Sequence, residues 1–262
     1  MKRVAIVSMM AAAVAVMAEG SLFAQRGAAP AAPAAAAAPA GPAPRTADGK
    51  PDLSGVWWTG GDVGGRGFNS SGRGRGAGRG AGAPAPPTWT ALYTPAAAAD
   101  AKKLNDNDDP TLKCIPTAFG TLNVSMFDVG AVAQIVQTPK FVVFLTETFH
   151  GFRLVPTDGR PFREEVPPSY RGDSVGRWEG DVFVVETKNF NDDSWIWAEG
   201  RASPHSDQLR IVERYRRVDS NTLDVDATLY DPKVLTAPWV VPTQRLVLAP
   251  FDQIMPLFCA GP

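Results

Sequence analysis

Histidine and cysteine, the residues that most often build metal sites and nucleophilic centres, are scarce in this sequence. Two histidines, His150 and His205, and two cysteines, Cys114 and Cys259, occur in 262 residues. Two histidines are too few for a histidine-rich metal centre, and no histidine stands close to either cysteine, which disfavours a catalytic cysteine. The formal net charge is only -1, so overall charge favours neither nucleic acid nor an anionic membrane as a partner. The sequence therefore gives no sign of a metal or cofactor site.

Long apolar runs are also missing, since no segment reaches the roughly 20 residues of a membrane-spanning helix. The best run, residues 4–18, follows two basic residues and precedes a Leu-Phe-Ala-Gln sequence. This arrangement is typical of a signal peptide, residues 1–24, cleaved after Ala24. We expect a periplasmic or extracellular protein without membrane insertion. In an oxidising compartment the two cysteines are expected to form the disulfide Cys114–Cys259, with two buried thiols as the alternative.

Composition divides the rest of the chain into a tether and one domain. Residues 25–47 are rich in alanine and proline and cannot bury enough apolar surface to fold. A single β-rich domain is expected over residues 48–262, with a disordered Gly/Arg-rich insertion at 60–87. The arginines of the insertion would suit RNA, but Phe68 is its single aromatic residue for stacking on bases, and a solvated loop is favoured.

Short strand-like runs separated by turns dominate the sequence after residue 129. Asp158-Gly159 and Glu179-Gly180 are typical turn sequences between them. One helix is predicted, over residues 95–104. Because few helices are available to cover parallel strands, the pattern predicts an all-β fold, an antiparallel meander closing into a barrel or sandwich. The main strands are expected at 132–137, 141–147, 152–155, 182–187, 209–218, 222–230 and 244–248.

The hairpin at residues 209–230 can be aligned from the alternation of its side chains. Placing the apolar residues of both strands on one face pairs Tyr215 with Val225 through a three-residue loop, in which Asn221 tolerates the left-handed conformation. The same register turns Glu213 toward the apolar face. A carboxylate there must find a partner or shift its pKa, so Glu213 is either a buried structural link or part of a site.

Residues 147–160 collect polar groups at the end of a predicted strand. His150 is the candidate general base of an acid-base hydrolase or lyase, oriented by Asp158 or Glu147, with Arg153 stabilising developing negative charge. In the alternative interpretation Glu147 and Arg153 form a surface ion pair and His150 is structural.

Aromatic residues indicate a second kind of site. Tryptophans beside strands and turns suit a pocket for a flat apolar ligand or a sugar ring, although burial in the core is the alternative. If the protein has a site, we expect it to be built around His150, with Arg153 and Glu213 as its polar groups and Trp178 or Tyr215 as its aromatic wall. The tryptophans concerned are Trp57, Trp58, Trp178, Trp195, Trp197 and Trp239.

Two resemblances accompany these patterns. The run Gly172-Asp-Ser174 followed by Gly176-Arg-Trp-Glu-Gly-Asp181 resembles a family of uncharacterised secreted bacterial proteins, which implies secretion but no particular activity. That family has a Cys-His-Glu-Gly-Asn sequence where this chain has Cys259-Ala-Gly-Pro262. Gly55-Val-Trp57 resembles the G-x-W signature of lipocalin and calycin barrels, which implies a lipocalin-like barrel.

These observations leave three functions open. A calycin-like barrel would bind a small apolar or carbohydrate ligand in its mouth, which is the function we expect. An acid-base enzyme centred on His150 needs that imidazole within hydrogen-bonding reach of a carboxylate. A structural envelope protein needs neither a cavity nor a catalytic group.

Overall fold

Eleven β-strands and one α-helix account for most of the regular structure in our computed structural model, which describes residues 40–59, 86–120, 132–147, 151–198 and 201–255. The helix, α1, is Pro95–Ala101, and its first turn is capped by Thr94 Oγ1, which accepts a hydrogen bond from Ala97 N. The strands are β1 (Gly55–Trp58), β2 (Val132–Gln137), β3 (Phe141–Thr146), β4 (Phe152–Pro156), β5 (Asp173–Glu179), β6 (Val182–Lys188), β7 (Trp195–Ala198), β8 (Arg201–Pro204), β9 (Arg210–Arg217), β10 (Thr222–Tyr230) and β11 (Trp239–Leu248).

Nine of these strands form one antiparallel sheet whose spatial order follows the order of the chain. Strands β1 to β4 pair in succession, and β5, β6, β9, β10 and β11 do the same, with β11 pairing back onto β1. Strands β7 and β8 form a separate hairpin. The all-β, barrel-like fold predicted from the sequence is confirmed.

The barrel is nearly closed where β4 meets β5, at a junction that we call the seam (residues 152–160 and 173–179). An antiparallel bridge between Asp158 and Arg177 and a 2.9 Å hydrogen bond from Gly159 N to Gly176 O join the two sides. A Cβ at Gly176 would lie only 2.7 Å from Pro156 O. The two edges can approach because residue 176 has no side chain.

Two hydrophobic clusters lie at successive heights along the inner face of the barrel. On β9, Tyr215 belongs to the first cluster and Ile211 to the second, with the buried carboxylate of Glu213 between them. The β7–β8 hairpin contributes to the second cluster. The largest side chains of the first cluster are Trp57, Phe144, Phe183 and Tyr215, and those of the second are Trp89, Phe119, Phe190 and Trp239.

The predicted register of the β9–β10 hairpin is confirmed. Tyr215 pairs with Val225, and Arg214 pairs with Asp226. The backbone of Asn221 does not have a positive φ, so this residue does not adopt the left-handed conformation that we expected. Asp219 Oδ1 instead accepts a 2.7 Å hydrogen bond from Asn221 N and holds the loop.

Residues 40–47, the end of the predicted tether, contact the barrel. Gly41 N donates to Ser220 Oγ at 3.0 Å, and Ser220 N donates back to Gly41 O. Arg45 forms an ion pair with Asp181 at 2.6 Å. The predicted signal peptide, the rest of the tether and residues 60–85 of the predicted insertion lie outside the described residues.

Candidate functional site

A buried polar cluster joins β4 to β9 across the inside of the barrel. Arg153 Nη1 donates to Glu213 Oε2 at 2.6 Å and Nη2 donates to Tyr215 Oη at 3.0 Å. Tyr215 Oη donates to Glu213 Oε1 at 2.7 Å. The structure therefore brings together three of the residues proposed from the sequence, because strand alternation turns all three inward.

Burial and charge fix the protonation of this cluster. Burial raises the pKa of the Tyr215 phenol well above its usual value, and the neighbouring Glu213 carboxylate raises it further. Burial is the largest single effect and lowers the pKa of Arg153, but the electrostatic interactions and hydrogen bonds with Glu213 and Tyr215 together outweigh it and raise that pKa above its usual value. Tyr215 is thus a neutral donor at physiological pH and Arg153 a permanent cation.

One hydrogen-bond donor of Arg153 has no acceptor among the described residues. Its Nη1 has a further, 3.4 Å contact with Thr187 Oγ1, and Thr187 shares a 2.9 Å hydrogen bond with Ser174 Oγ. The guanidinium lies 4.7 Å from the ring centroid of Phe144. Among the described residues, however, nothing accepts a hydrogen bond from Arg153 Nε, although the atom is buried.

The cluster opens on one side to a cleft of about 620 Å³ at the seam, which we call the seam cleft. Its apolar wall is the outer face of β4, where Phe152 is 64% and Leu154 48% exposed. Arg153 and Ser174 line it from the inside of the barrel. The remaining lining comes mainly from the segment between β4 and β5 and includes Arg160, Pro161, Arg163, Ser169, Tyr170, Arg171, Gly172 and Asp173.

Ion pairs hold the segment between β4 and β5. Arg163 binds Asp173 at 2.5 Å, and Arg160 binds Asp158 at 2.7 Å. The hydrogen bonds from Arg160 lower the pKa of the exposed Asp158 carboxyl to about 2. Asp158 is therefore a weak base. It pairs with Arg160 on the surface, whereas Arg153 pairs with Glu213 inside the barrel.

Glycine at position 151 makes room for an arginine in the seam cleft. A Cβ on Gly151 would lie 1.9 Å from Arg171 Nη2. The Arg171 guanidinium therefore packs directly against the backbone that leads into β4. Any larger residue at 151 would displace it from this position.

The other residues proposed from the sequence lie apart from the buried cluster or outside the described residues. Trp178 packs against the first hydrophobic cluster, with its ring centroid 5.1 Å from that of Phe183. Glu147 is buried and accepts a 3.0 Å hydrogen bond from Met255 N. His150 and Cys259 lie outside the described residues, so the catalytic histidine and the disulfide stay predictions.

A second cleft, of about 310 Å³, lies against the β7–β8 hairpin. Trp195 and Trp197 line it, while Ile196 between them is buried in the second cluster. Its other side carries Tyr93, Leu104, Asn105, Asp106 and Asp109. The lining of this cleft thus combines two tryptophans with polar side chains.

His205, which did not figure in the predicted site, lies in a buried environment of its own. Its Nε2 is 3.1 Å from Ser194 Oγ and its Nδ1 is 2.8 Å from Ser206 O. Burial lowers the pKa of the imidazole. Both ring nitrogens are occupied by these contacts, which indicates a structural role.

The part of the chain that the structure describes contains no group of three metal-ligating side chains, and none of its helices is long and apolar enough to cross a membrane. Comparison with protein-family models, with curated proteins and with solved structures gave no match. The two clefts described above are therefore the candidate ligand sites.

Proposed function

We propose that this protein binds a small, largely apolar ligand in the seam cleft. The observation that carries the proposal is the exposure of Phe152 and Leu154 on the wall of a concave site of about 620 Å³. Exposed apolar side chains that line a concavity are typical of ligand sites, which combine apolar walls with a few polar groups. The ligand enters through the side of the barrel instead of the mouth expected from the sequence.

The test is binding of N-phenyl-1-naphthylamine, an uncharged apolar probe whose fluorescence rises on burial. We expect the double variant Phe152→Ser/Leu154→Ser to weaken binding at least about tenfold, because the loss of one large apolar contact removes about 1.5–3 kcal/mol. Val240→Ser, which removes an exposed apolar side chain from β11, is the matched control. Equal weakening by both variants would contradict the proposal.

The cleft beside the β7–β8 hairpin favours a second candidate function, carbohydrate binding. Trp195 and Trp197 offer ring faces to the C–H face of a sugar, and Asp106 and Asp109 offer acceptors to its hydroxyl groups. Titration with cellohexaose, followed by tryptophan fluorescence, tests it. Trp197→Ala should abolish the response and Phe152→Ser should leave it intact; an unchanged response in Trp197→Ala rejects this candidate.

A further inference from the structure

We infer that the ligand of the seam cleft is an organic acid, whose oxyanion accepts a hydrogen bond from Arg153 Nε while its apolar body lies against β4. This inference rests on the proposed function and names the class of its ligand.

Arg153 is 8% exposed, and its other guanidinium nitrogens are used by Glu213, Thr187 and Tyr215. Only Nε lacks an acceptor among the described residues. A buried N–H without an acceptor is destabilising, and native proteins rarely leave one without a role. Since Arg153 also lines the seam cleft, a ligand oxygen in the cleft can supply the missing acceptor.

The other charged groups of the cleft favour an anion as the source of that oxygen. Its lining contains four arginines, at positions 153, 160, 163 and 171, and one carboxylate, that of Asp173. Partners offset some of this charge, because Glu213 binds Arg153, Asp158 binds Arg160 and Asp173 binds Arg163. All four guanidiniums nevertheless only donate hydrogen bonds. An oxyanion, which accepts them, therefore suits the cleft far better than a ligand group that donates.

The apolar wall determines the rest of the ligand. Phe152 and Leu154 alternate with Arg153 on β4, so the apolar surface and the Nε donor belong to one strand edge. Phe141 and Pro156 extend the apolar lining. A molecule with an acidic group at one end and an alkyl or aromatic body satisfies both surfaces at once.

The experiment compares decanoate with 1-decanol as competitors of N-phenyl-1-naphthylamine on the full-length protein. The two competitors share an alkyl chain and differ in the acidic group. We expect decanoate to displace the probe at a concentration at least about tenfold lower than that of 1-decanol. A difference of this size is typical of charge-assisted hydrogen bonds. Decanoate, and not 1-decanol, should also shift the Nε–Hε resonance of Arg153 in an NMR spectrum.

Arg171→Gln tests the charge of the cleft and leaves the buried Arg153–Glu213 pair in place. It should reduce the preference for decanoate over 1-decanol severalfold. Arg177→Gln, which alters an exposed arginine of the seam that does not line the cleft, should leave this preference unchanged. Equal displacement by acid and alcohol overturns the inference and leaves the proposed function intact, whereas a wild-type protein that does not bind the uncharged probe removes both.

Discussion

At the scale of single residues, the buried Arg153–Glu213 pair is costly to disturb. Its side chains are 8% and 0% exposed, and the two charges lie 2.6 Å apart. Removing one member of such a pair leaves the other charge buried without compensation. We expect Glu213→Gln to lower the free energy of unfolding by about 3–5 kcal/mol in urea titrations.

The exposed ion pair at the seam provides the control for this variant. Asp158→Asn breaks the contact with Arg160, whose side chain is 47% exposed. Exposed pairs contribute little to stability, so the midpoint of unfolding should hardly change. Similar effects of the two substitutions would show that water screens the Arg153–Glu213 pair.

His205 should make stability depend on pH. Burial lowers the pKa of its imidazole in the folded protein below the value of about 6.5 expected in the unfolded chain. Between those two values the unfolded state binds more protons, so the free energy of unfolding falls as the pH drops below about 6.5. His205→Gln should flatten the curve between pH 6.5 and 5; an unchanged slope in that variant would assign the dependence to other groups.

The sequence predicted single residues well where alternation alone decides their orientation. Glu213 and Tyr215 were placed on the inner face by the hairpin register, which the structure confirms. Alternation could not predict that these two residues bond to Arg153, because those hydrogen bonds join strands that are not neighbours in the sheet. Local alternation gives the face of a residue but not its neighbours across a barrel.

At the scale of elements, the seam depends on a close approach of two strand edges. A methyl group at Gly176 would lie 2.5 Å from Phe183 Cζ as well as close to Pro156 O. We expect Gly176→Ala to destabilise the protein by about 1–3 kcal/mol, a typical cost of overpacking, as measured by thermal unfolding.

Gly180, in the turn of the same hairpin, provides a matched comparison. It has a positive φ of 61°, and a Cβ there would meet nothing within 4 Å. Asparagine tolerates that conformation, so Gly180→Asn should leave the melting temperature nearly unchanged. A larger loss in Gly180→Asn than in Gly176→Ala would mean that the turn, and not the seam, controls the stability of the hairpin.

Strands with clear alternation were predicted almost to the residue, whereas irregular ones were missed. Strands β2 and β10 have the expected bounds. Strand β11 begins at Trp239 instead of residue 244, because a register shift opposite Asp226 accommodates Pro242 within the strand. The short strands β7 and β8 were not predicted, and α1 ends at Ala101 instead of residue 104.

At the scale of the whole molecule, the disulfide between Cys114 and Cys259 stays a prediction. It would link two distant parts of the chain and stabilise the domain by roughly 5 kcal/mol in the chain-entropy model. Alkylation of the purified protein without reduction should therefore label neither cysteine, and reduction should lower the denaturation midpoint. Labelling of both thiols before reduction would exclude the disulfide.

The pairing of β1 with β11 has a consequence for folding kinetics. Trp57 on the first strand pairs with Leu248 on the last, whereas most other neighbours in the sheet are hairpins joined by short turns. Loop closure grows more costly with chain separation, and folds with distant pairings fold slowly. The hairpins can thus form early, while completion of the barrel must wait until the two ends of the domain meet.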